Sequence, residues 1–197
     1  MDNLIKSIYI NDLDLNDVKA LTREKVPVIL YDDLTINDDI LNLLSKDGRA
    51  LLLFPTGLTG ADGHWLSILF NSNTRVLEHW DSYALTVTQE MTYSRNPNVE
   101  RNVLGKLYEK AQQQHGITIV YNTYRMQKMA KNYNQCGRHS CLRLRFHYLN
   151  MHQYAKLMLG QTMSPDWIVS AITFLKLFQD GEDEQTTVFK YLGIKKE

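Results

Sequence analysis

Cysteine is scarce in this sequence. Its 197 residues contain two, Cys136 and Cys141, which lie only five positions apart. The pair can form at most one bridge, and on a helix at that spacing the two thiols point to different faces. We therefore expect no disulfide framework and two free thiols, as is usual for a protein of a reducing compartment.

Long hydrophobic runs and targeting signals are also missing. No apolar segment approaches the roughly 20 residues that a membrane-spanning helix needs, so we expect no membrane partner. Residues 1–6 lack the basic and hydrophobic regions of a signal segment, which predicts an intracellular protein. Repeats, low-complexity tracts and glycine/serine linkers are absent, so the sequence predicts one domain over residues 1–197, and we expect a monomer.

The sequence has no net charge, because 22 Lys and Arg residues balance 22 Asp and Glu residues. The charges are unevenly distributed: the net charge is −7 over residues 1–100, +9 over 101–157 and −2 over 158–197. The basic segment 101–157 could contact DNA, another nucleic acid or an acidic partner. The interpretation we favour is that this segment faces the acidic N-terminal half and neutralises it.

Hydrophobic periodicity predicts an α+β fold, with a central mixed or antiparallel sheet flanked by helices. Strands are predicted at residues 26–31, 50–54, 64–70, 75–80 and 117–121. Helices are predicted at residues 35–44, at 99–115 with Gly116 as the C-terminal cap, at 136–151, and from Ser164 to about Phe178. Residues 55–63 and 71–74 are predicted loops, and residues 82–98 have no clear assignment.

Cys136 is the candidate nucleophile. Polar residues 132–135 precede it, and Gly137 and an apolar-periodic helix follow it, so its sulfur is predicted at a helix N-terminus. The partial positive charge and unpaired N–H groups there favour a thiolate, and thiols in such settings have pKa values of about 3.5–7.5. The alternative is a buried cysteine that packs as a small hydrophobe, which describes Cys141 better.

His64 and Asp81 are the candidate base and its partner carboxylate. His64 begins a predicted strand, and Asp81 ends the next strand seventeen residues later. In a short hairpin the start of one strand lies beside the end of its partner, so we expect the two side chains to be neighbours. A carboxylate that accepts from an imidazole fixes its tautomer and stabilises its charged form. Taken singly, each residue is more commonly solvated than catalytic.

Gln127, nine residues before Cys136, is the candidate oxyanion donor. Its amide and the backbone N–H of Cys136 could donate hydrogen bonds to the oxygen of an attacked carbonyl. Asn132 and Gln135 could serve instead. Trp65 follows His64 directly and is either a wall of the substrate cleft or an ordinary core tryptophan.

A zinc site is a competing interpretation of the region around Cys136. The potential ligands are Cys136, His139, Cys141 and His147. They lack the paired Cys-x2-Cys or His-x3-His spacing of structural zinc sites. We therefore predict no metal and no other cofactor.

The order of these motifs resembles that of a known group of enzymes. Gly63-His64-Trp65, Trp80-Asp81-Ser82, Gln127 and Cys136-Gly137 are similar to the motifs of adenain-type and SUMO-protease-type cysteine peptidases. Two features depart from that pattern. The gap from Gln127 to Cys136 is longer, and Gln135 replaces the acidic residue that often precedes the cysteine in the SUMO branch.

A viral branch is the more similar one. There a Tyr-Asn pair and a Gln precede Cys-Gly-Arg, and an arginine lies further along the helix. The matching residues of this chain are Tyr121-Asn122, Gln127, Cys136-Gly137-Arg138 and Arg143. Over about residues 50–150, the chain resembles the maturation proteases of large DNA viruses, virophages and Maverick/Polinton elements.

The resemblance implies an adenain-like thiol endopeptidase. In it Cys136 attacks the peptide carbonyl, His64 transfers the proton, Asp81 orients His64 and Gln127 helps to bind the oxyanion. The implied substrates are viral capsid or other structural precursor proteins, cut after small residues such as glycine. The implied location is the viral factory in the host cytoplasm and the virion.

Two other functions remain open at this point. One is a protease of the same fold that removes SUMO or another ubiquitin-like protein from its conjugates. The other is a non-catalytic virion protein that binds nucleic acid through the basic residues 101–157.

Overall fold

The structure, a computed structural model, describes residues 15–22, 25–57, 63–96, 99, 101–129 and 134–174. Its centre is a five-stranded sheet whose spatial order follows the chain. The strands are β1 (Val28–Leu30), β2 (Arg49–Pro55), β3 (Gly63–Asn71), β4 (Val76–Trp80) and β5 (Thr118–Tyr121). The central strands are antiparallel, whereas β1 and β5 run parallel to their neighbours, so the sheet is mixed.

Helices cover both faces of this sheet. They are α1 (Leu15–Leu21), α2 (Val87–Met91), α3 (Val103–His115), α4 (Cys136–Arg145), α5 (Met151–Leu159) and α6 (Pro165–Phe174). Because strand side chains alternate between faces, the sheet separates two cores. Trp65 and Trp80 pack with α4, α5 and α6, while Leu66 and Leu77 pack with α3 on the other side. The predicted α+β class is confirmed.

The predicted strands are confirmed, with boundaries shifted by one or two residues. The predicted helix 99–115 begins at Val103 and ends at His115. Gly116 follows it with a φ of 57°, and its N–H donates to the carbonyl of Gln112. Glycine adopts this left-handed conformation at little cost, so the predicted C-terminal cap is confirmed as well. Among the described helices, none is long and apolar enough to cross a bilayer.

The predicted helix over residues 35–44 is wrong. Its first residues form a turn, in which the Asp38 carboxylate accepts from the backbone N–H of Thr35 at 2.7 Å. Asp39 then caps a single 3-10 turn, Ile40–Leu43, by accepting from the N–H of Leu41. The acidic residues that suggested a helix start therefore close local turns instead.

The predicted helix 136–151 is too long: α4 ends at Arg145, and a separate helix, α5, begins at Met151. The Arg143 guanidinium donates to the carbonyls of Phe146 and Leu149, which lie beyond the end of α4. Asn150 then begins α5 with a capping box, in which Asn150 and Gln153 exchange side-chain and backbone hydrogen bonds. The backbone groups between α4 and α5 thus have hydrogen-bond partners without a continuous helix.

Two other segments are residues 82–98 and the helix that was predicted from Ser164. Residues 82–98, which had no clear assignment, contain the short helix α2, capped by Thr86. The predicted helix from Ser164 is confirmed as α6, which begins at Pro165. Its predicted end at Phe178 lies outside the described residues.

Three side chains fix α4 against the sheet. Ser67 donates to the carbonyl of Ser140 at 2.9 Å, and Ser140 donates in return to the carbonyl of Trp65 at 2.9 Å. About one turn further on, Arg143 forms a bidentate pair with Glu78 of β4, at 2.8 and 2.9 Å. These buried bonds join α4 to β3 and β4, and so determine where Cys136 lies relative to His64.

Candidate active site

The start of β3 positions His64. Gly63 precedes it, at a point where a Cβ atom would lie 2.5 Å from Cδ1 of Leu53 and 2.9 Å from the carbonyl oxygen of Phe54. Any larger residue would therefore push β3 away from β2. In this register His64 is opposite Phe54, and it is 8% exposed.

Asp81 follows β4 directly and contacts His64. One carboxylate oxygen accepts from Nε2 of His64, and the other accepts from the N–H groups of Tyr83 and Leu85 at 3.1 and 2.8 Å. Burial would raise the pKa of Asp81, but the charge of His64 and these hydrogen bonds hold it below its ordinary value. His64 and Asp81 are therefore in contact, as the hairpin geometry predicts.

Cys136 is the first residue of α4 and is partly exposed. Its sulfur lies near the His64 ring, close enough for the two groups to interact electrostatically. Because Nε2 of His64 faces Asp81, Nδ1 is the nitrogen left for the sulfur. Burial would lower the pKa of His64, but the charges of Asp81 and Cys136 raise it well above its ordinary value. The site therefore favours the protonated form of the imidazole.

A cleft of about 340 Å³ gives access to this group. His64 and Cys136 line it, together with Tyr83, Glu90 and Tyr93. A larger groove of about 740 Å³ lies at the other end of the β3–β4 hairpin. We assign the smaller cleft as the candidate active site, because the sulfur and the imidazole open into it.

Gln127 is almost fully buried, with 1% of its surface exposed. Its Oε1 accepts from Oγ of Ser82 at 2.7 Å, and its Nε2 donates to the hydroxyl of Tyr83 at 2.8 Å. The ring of Tyr83 stacks on that of His64, with centroids 5.1 Å apart. Gln127 thus reaches the site through Tyr83, and its role as a direct oxyanion donor stays a prediction.

Gln135 and Asn132 are the other two candidate oxyanion donors. Gln135 is fully buried, and its Oε1 accepts from Oγ of Ser170 in α6 at 2.8 Å. Asn132 lies outside the described residues.

Trp65 is on the opposite face of β3 from His64. It is 7% exposed and belongs to the core beneath α4, against which Cys136 also packs. Adjacent strand residues point to opposite faces, so the indole points away from the face that carries the His64 ring. The indole occupies the core position of the second interpretation, and contact with a substrate stays a prediction.

Two other histidines form buried pairs with carboxylates. His79 lies 2.9 Å from the hydroxyl of Tyr108 and 3.3 Å from Glu90. His139, in α4, lies 2.9 Å from Asp166 of α6. Neither histidine lines the cleft, so both pairs connect elements of the fold.

Glu90 brings a second carboxylate to the cleft. Within the described residues its Oε2 is buried without a hydrogen-bond partner, and burial raises its pKa. Ligand atoms of His64, Asp81 and Glu90 lie within 4.8 Å of one another. A divalent cation held there would have to replace the hydrogen bond between His64 and Asp81, and it would meet a carboxyl that resists ionisation. This donor set suits proton transfer better than metal binding.

The two thiols should differ strongly in reactivity. Cys141 is 1% exposed, and burial raises its pKa to about 12, so little thiolate is present at neutral pH. Cys136 opens into the cleft beside a protonated imidazole. We expect iodoacetamide at pH 7 to label Cys136 at least tenfold faster than Cys141, as measured by peptide mapping against time. Equal labelling, or faster labelling of Cys141, would contradict the assignment of the nucleophile.

Sequence reasoning missed the roles of three residues. Tyr83 and Glu90 line the cleft, and both belong to the segment 82–98 that had no clear periodicity. Asn122 donates to the carbonyl of Asp81 at 2.6 Å and so fixes the end of β4. The signal for α2 was present as Thr86-x-x-Gln89, a capping-box pattern that also places Glu90.

Comparisons with known proteins give only a distant likeness. No protein-family model matches the sequence, and no curated protein is detectably similar to it. One solved structure that resembles the chain is that of ChlaDub1 from Chlamydia trachomatis. The likeness covers 91% of this chain and 79% of that one, at 14% identity and a TM-score of 0.43.

Proposed function

We propose that the chain is a cysteine endopeptidase that processes viral capsid or other structural precursor proteins. The observation that supports it most is the proximity of Cys136, His64 and Asp81, of which the first two line the cleft. The β3–β4 hairpin contributes His64 and Asp81, and α4 contributes Cys136, fifty-five residues after Asp81. A thiol, an imidazole and a carboxylate in this order of contact are the parts of a thiol hydrolase.

The proposed reaction uses the charges of the resting site. The Cys136 sulfur attacks the carbonyl carbon of the scissile bond, and the protonated His64 gives its proton to the leaving amine. This breaks the C–N bond and leaves an acyl group on the sulfur as a thioester. His64, now neutral, takes a proton from a water molecule that attacks the thioester. A C–O bond forms and the C–S bond breaks, so the acid product leaves and the sulfur of Cys136 and the protonated His64 are restored for another turnover.

The position of Cys136 at the start of α4 supports the first step. The N–H groups in the first turn of a helix have no acceptor within the helix, and the helix dipole favours negative charge there. The N–H of Cys136 is therefore available to the oxyanion that the attack creates. Asp81 keeps the His64 ring oriented, because its other oxygen is held by the N–H groups of Tyr83 and Leu85.

The size of the cleft favours small substrate residues, and the motif resemblance favours viral substrates. The cleft volume of about 340 Å³ is at the lower end of the range for ligand sites, and aromatic rings of Tyr83 and Tyr93 line it. Glycine or alanine beside the scissile bond would fit more easily than a branched residue. The viral assignment rests on the motif resemblance through Cys136-Gly137-Arg138 and Arg143.

The test is a direct comparison of two substrate classes. The protein is incubated with a capsid-derived peptide containing a Gly-Gly or Gly-Ala step and, separately, with SUMO or ubiquitin fused to a reporter. Mass spectrometry of the new termini identifies the bond that is cut. We expect cleavage of the peptide after a small residue. Release of the reporter with the peptide untouched would replace the proposal by a deconjugating protease.

Contact with DNA is a separate question from catalysis. Two basic residues of the segment 101–157, Arg138 and Arg143, are buried at 7% and 1% exposure. Arg138 donates to Thr173 and Arg143 pairs with Glu78, so these two charges serve the fold. Any DNA contact would use the other basic residues. Salt-sensitive DNA binding that survives alkylation of Cys136, without proteolysis, would favour the non-catalytic alternative.

A further inference from the structure

A thiol peptidase needs a second hydrogen-bond donor beside the N–H of its cysteine. The oxyanion is stabilised only by donors that point at it within a cleft of low dielectric constant. Gln127, the donor expected from the motif order, has one amide N–H directed at the hydroxyl of Tyr83. The side chain between Gln127 and the cleft is therefore Tyr83.

Tyr83 borders the same cleft as the sulfur and the imidazole. It lines the cleft with Cys136 and His64, and its ring stacks on the His64 ring at a centroid distance of 5.1 Å. Burial raises the pKa of Tyr83 most, and the charge of Cys136 raises it further. The hydroxyl thus lies within the electrostatic range of the sulfur and remains protonated during catalysis.

The bond from Gln127 also orients the hydroxyl. Oγ of Ser82 donates to Oε1 of Gln127, and Nε2 of Gln127 donates to the oxygen of Tyr83. A hydroxyl that accepts a hydrogen bond keeps its own proton for another acceptor. In a chain of such bonds each donor is polarised by the one before it, which strengthens the last.

We propose that the Tyr83 hydroxyl is the side-chain donor of the oxyanion hole and that Gln127 is the residue that positions it. This inference rests on the proposed function as a cysteine peptidase. It makes Tyr83 a catalytic residue, since its proton contacts the reacting oxygen, and it makes Gln127 a positioning residue. Gln127 can then act at a spacing of nine residues from Cys136, because the group that contacts the oxyanion is the Tyr83 hydroxyl, in the segment after Asp81.

The first test is Tyr83→Phe, which keeps the ring on His64 and removes only the hydroxyl. Because the oxyanion exists mainly in the transition state, we expect kcat to fall about 10²–10³-fold while KM changes little. Iodoacetamide labelling of Cys136 should be unchanged, since alkylation at a saturated carbon forms no oxyanion. Tyr148→Phe, an exposed tyrosine at the other groove, is the matched control. Wild-type kcat in Tyr83→Phe would overturn the inference.

The second test separates a positioning role of Gln127 from a direct one. If Gln127 acts through Tyr83, adding Gln127→Ala to Tyr83→Phe should lower kcat by less than about threefold more. Gln127→Glu should be as damaging as Tyr83→Phe, because a carboxylate accepts the Tyr83 proton and turns it away from the cleft. A further loss of about a hundredfold in the double variant would mean that Gln127 itself binds the oxyanion.

A third measurement does not depend on turnover. A peptide aldehyde forms a hemithioacetal with Cys136, whose oxygen occupies the same position as the oxyanion. We expect the aldehyde to bind Tyr83→Phe about 10–100-fold more weakly than the wild type, a range typical of one lost hydrogen bond to a charged group. Equal affinity would overturn the role of Tyr83. If the wild type binds the aldehyde but cleaves no peptide bond, the proposed function fails, and the difference in affinity still decides the donor.

Discussion

Cys136→Ala will abolish peptide hydrolysis while leaving the fold intact. The thiol is the only protein group in the proposed reaction that forms a covalent bond to the substrate, so its removal prevents formation of the thioester. A loss on the order of 10⁶ in kcat is typical when the nucleophile of such a unit is removed. The measurement is the rate of peptide cleavage, with circular dichroism and thermal melting to show that the variant is folded.

Cys141→Ala is the matched control for this prediction. Cys141 is buried in the body of α4 and packs in the core, so its replacement should lower the melting temperature slightly and leave kcat/KM within about twofold of the wild type. Substantial cleavage by folded Cys136→Ala would remove the thiol-peptidase proposal altogether.

His64→Ala will be nearly as damaging as the loss of the thiol, and Asp81→Asn about two orders of magnitude milder. The nucleophile and its proton-transfer partner act as a unit, whereas the orienting carboxylate contributes only part of the effect. His152→Ala, at an exposed position on α5, should retain wild-type activity. Inactivation by His79→Ala or His139→Ala, with an active His64→Ala, would contradict the assignment of His64.

The dependence of kcat/KM on pH tests the roles of His64 and Asp81 in a way that a purely structural defect would not reproduce. The pKa of His64 is raised well above its ordinary value of about 6.5. The protonated imidazole therefore persists as the pH rises past 6.5, and kcat/KM should fall only when the pH exceeds the raised pKa. Because the charge of Asp81 is the largest cause that raises this pKa, Asp81→Asn should shift the alkaline limb to lower pH. An unshifted limb would mean that Asp81 acts by packing alone.

The raised pKa of His64 also affects the free energy of unfolding. His64 holds its proton more tightly in the folded protein than in the unfolded chain. Its contribution to the free energy of unfolding is fully present below pH 6.5 and is lost as the pH rises through the folded-state pKa. Asp81, whose pKa is lowered, contributes in the opposite sense, and its stabilisation is lost as the solution becomes acidic.

The sequence predicts the parts of the site that depend on local geometry. Hairpin pairing requires the start of β3 to lie near the residue after β4, so the contact of His64 with Asp81 follows from the spacing of two strands. The polar residues before Cys136 and the periodicity after it likewise predict a helix start. These inferences need only the regular dimensions of strands and helices.

The parts that the sequence does not predict depend on tertiary contacts. The end of α4 is set by Arg143, which binds two carbonyls beyond the helix while it pairs with Glu78 on another element. Tyr83 reaches His64 from a segment without periodicity, and its hydroxyl is positioned by Gln127, more than forty residues away. No local pattern encodes such a contact. The face of Trp65, by contrast, could have been predicted from strand alternation.

Covalent labelling with a peptidyl acyloxymethyl ketone that has glycine next to the reactive group tests the central claim most directly. The protein is titrated with the probe, hydrolysis of the capsid-derived peptide is measured at each point, and the adduct is located by peptide mapping. We expect a single adduct on Cys136 that increases in proportion to the loss of activity and is strongly reduced in His64→Ala. An adduct on Cys141 that accompanies the loss of activity, or complete labelling of Cys136 with hydrolysis unchanged, would contradict a peptidase that uses Cys136 as its nucleophile.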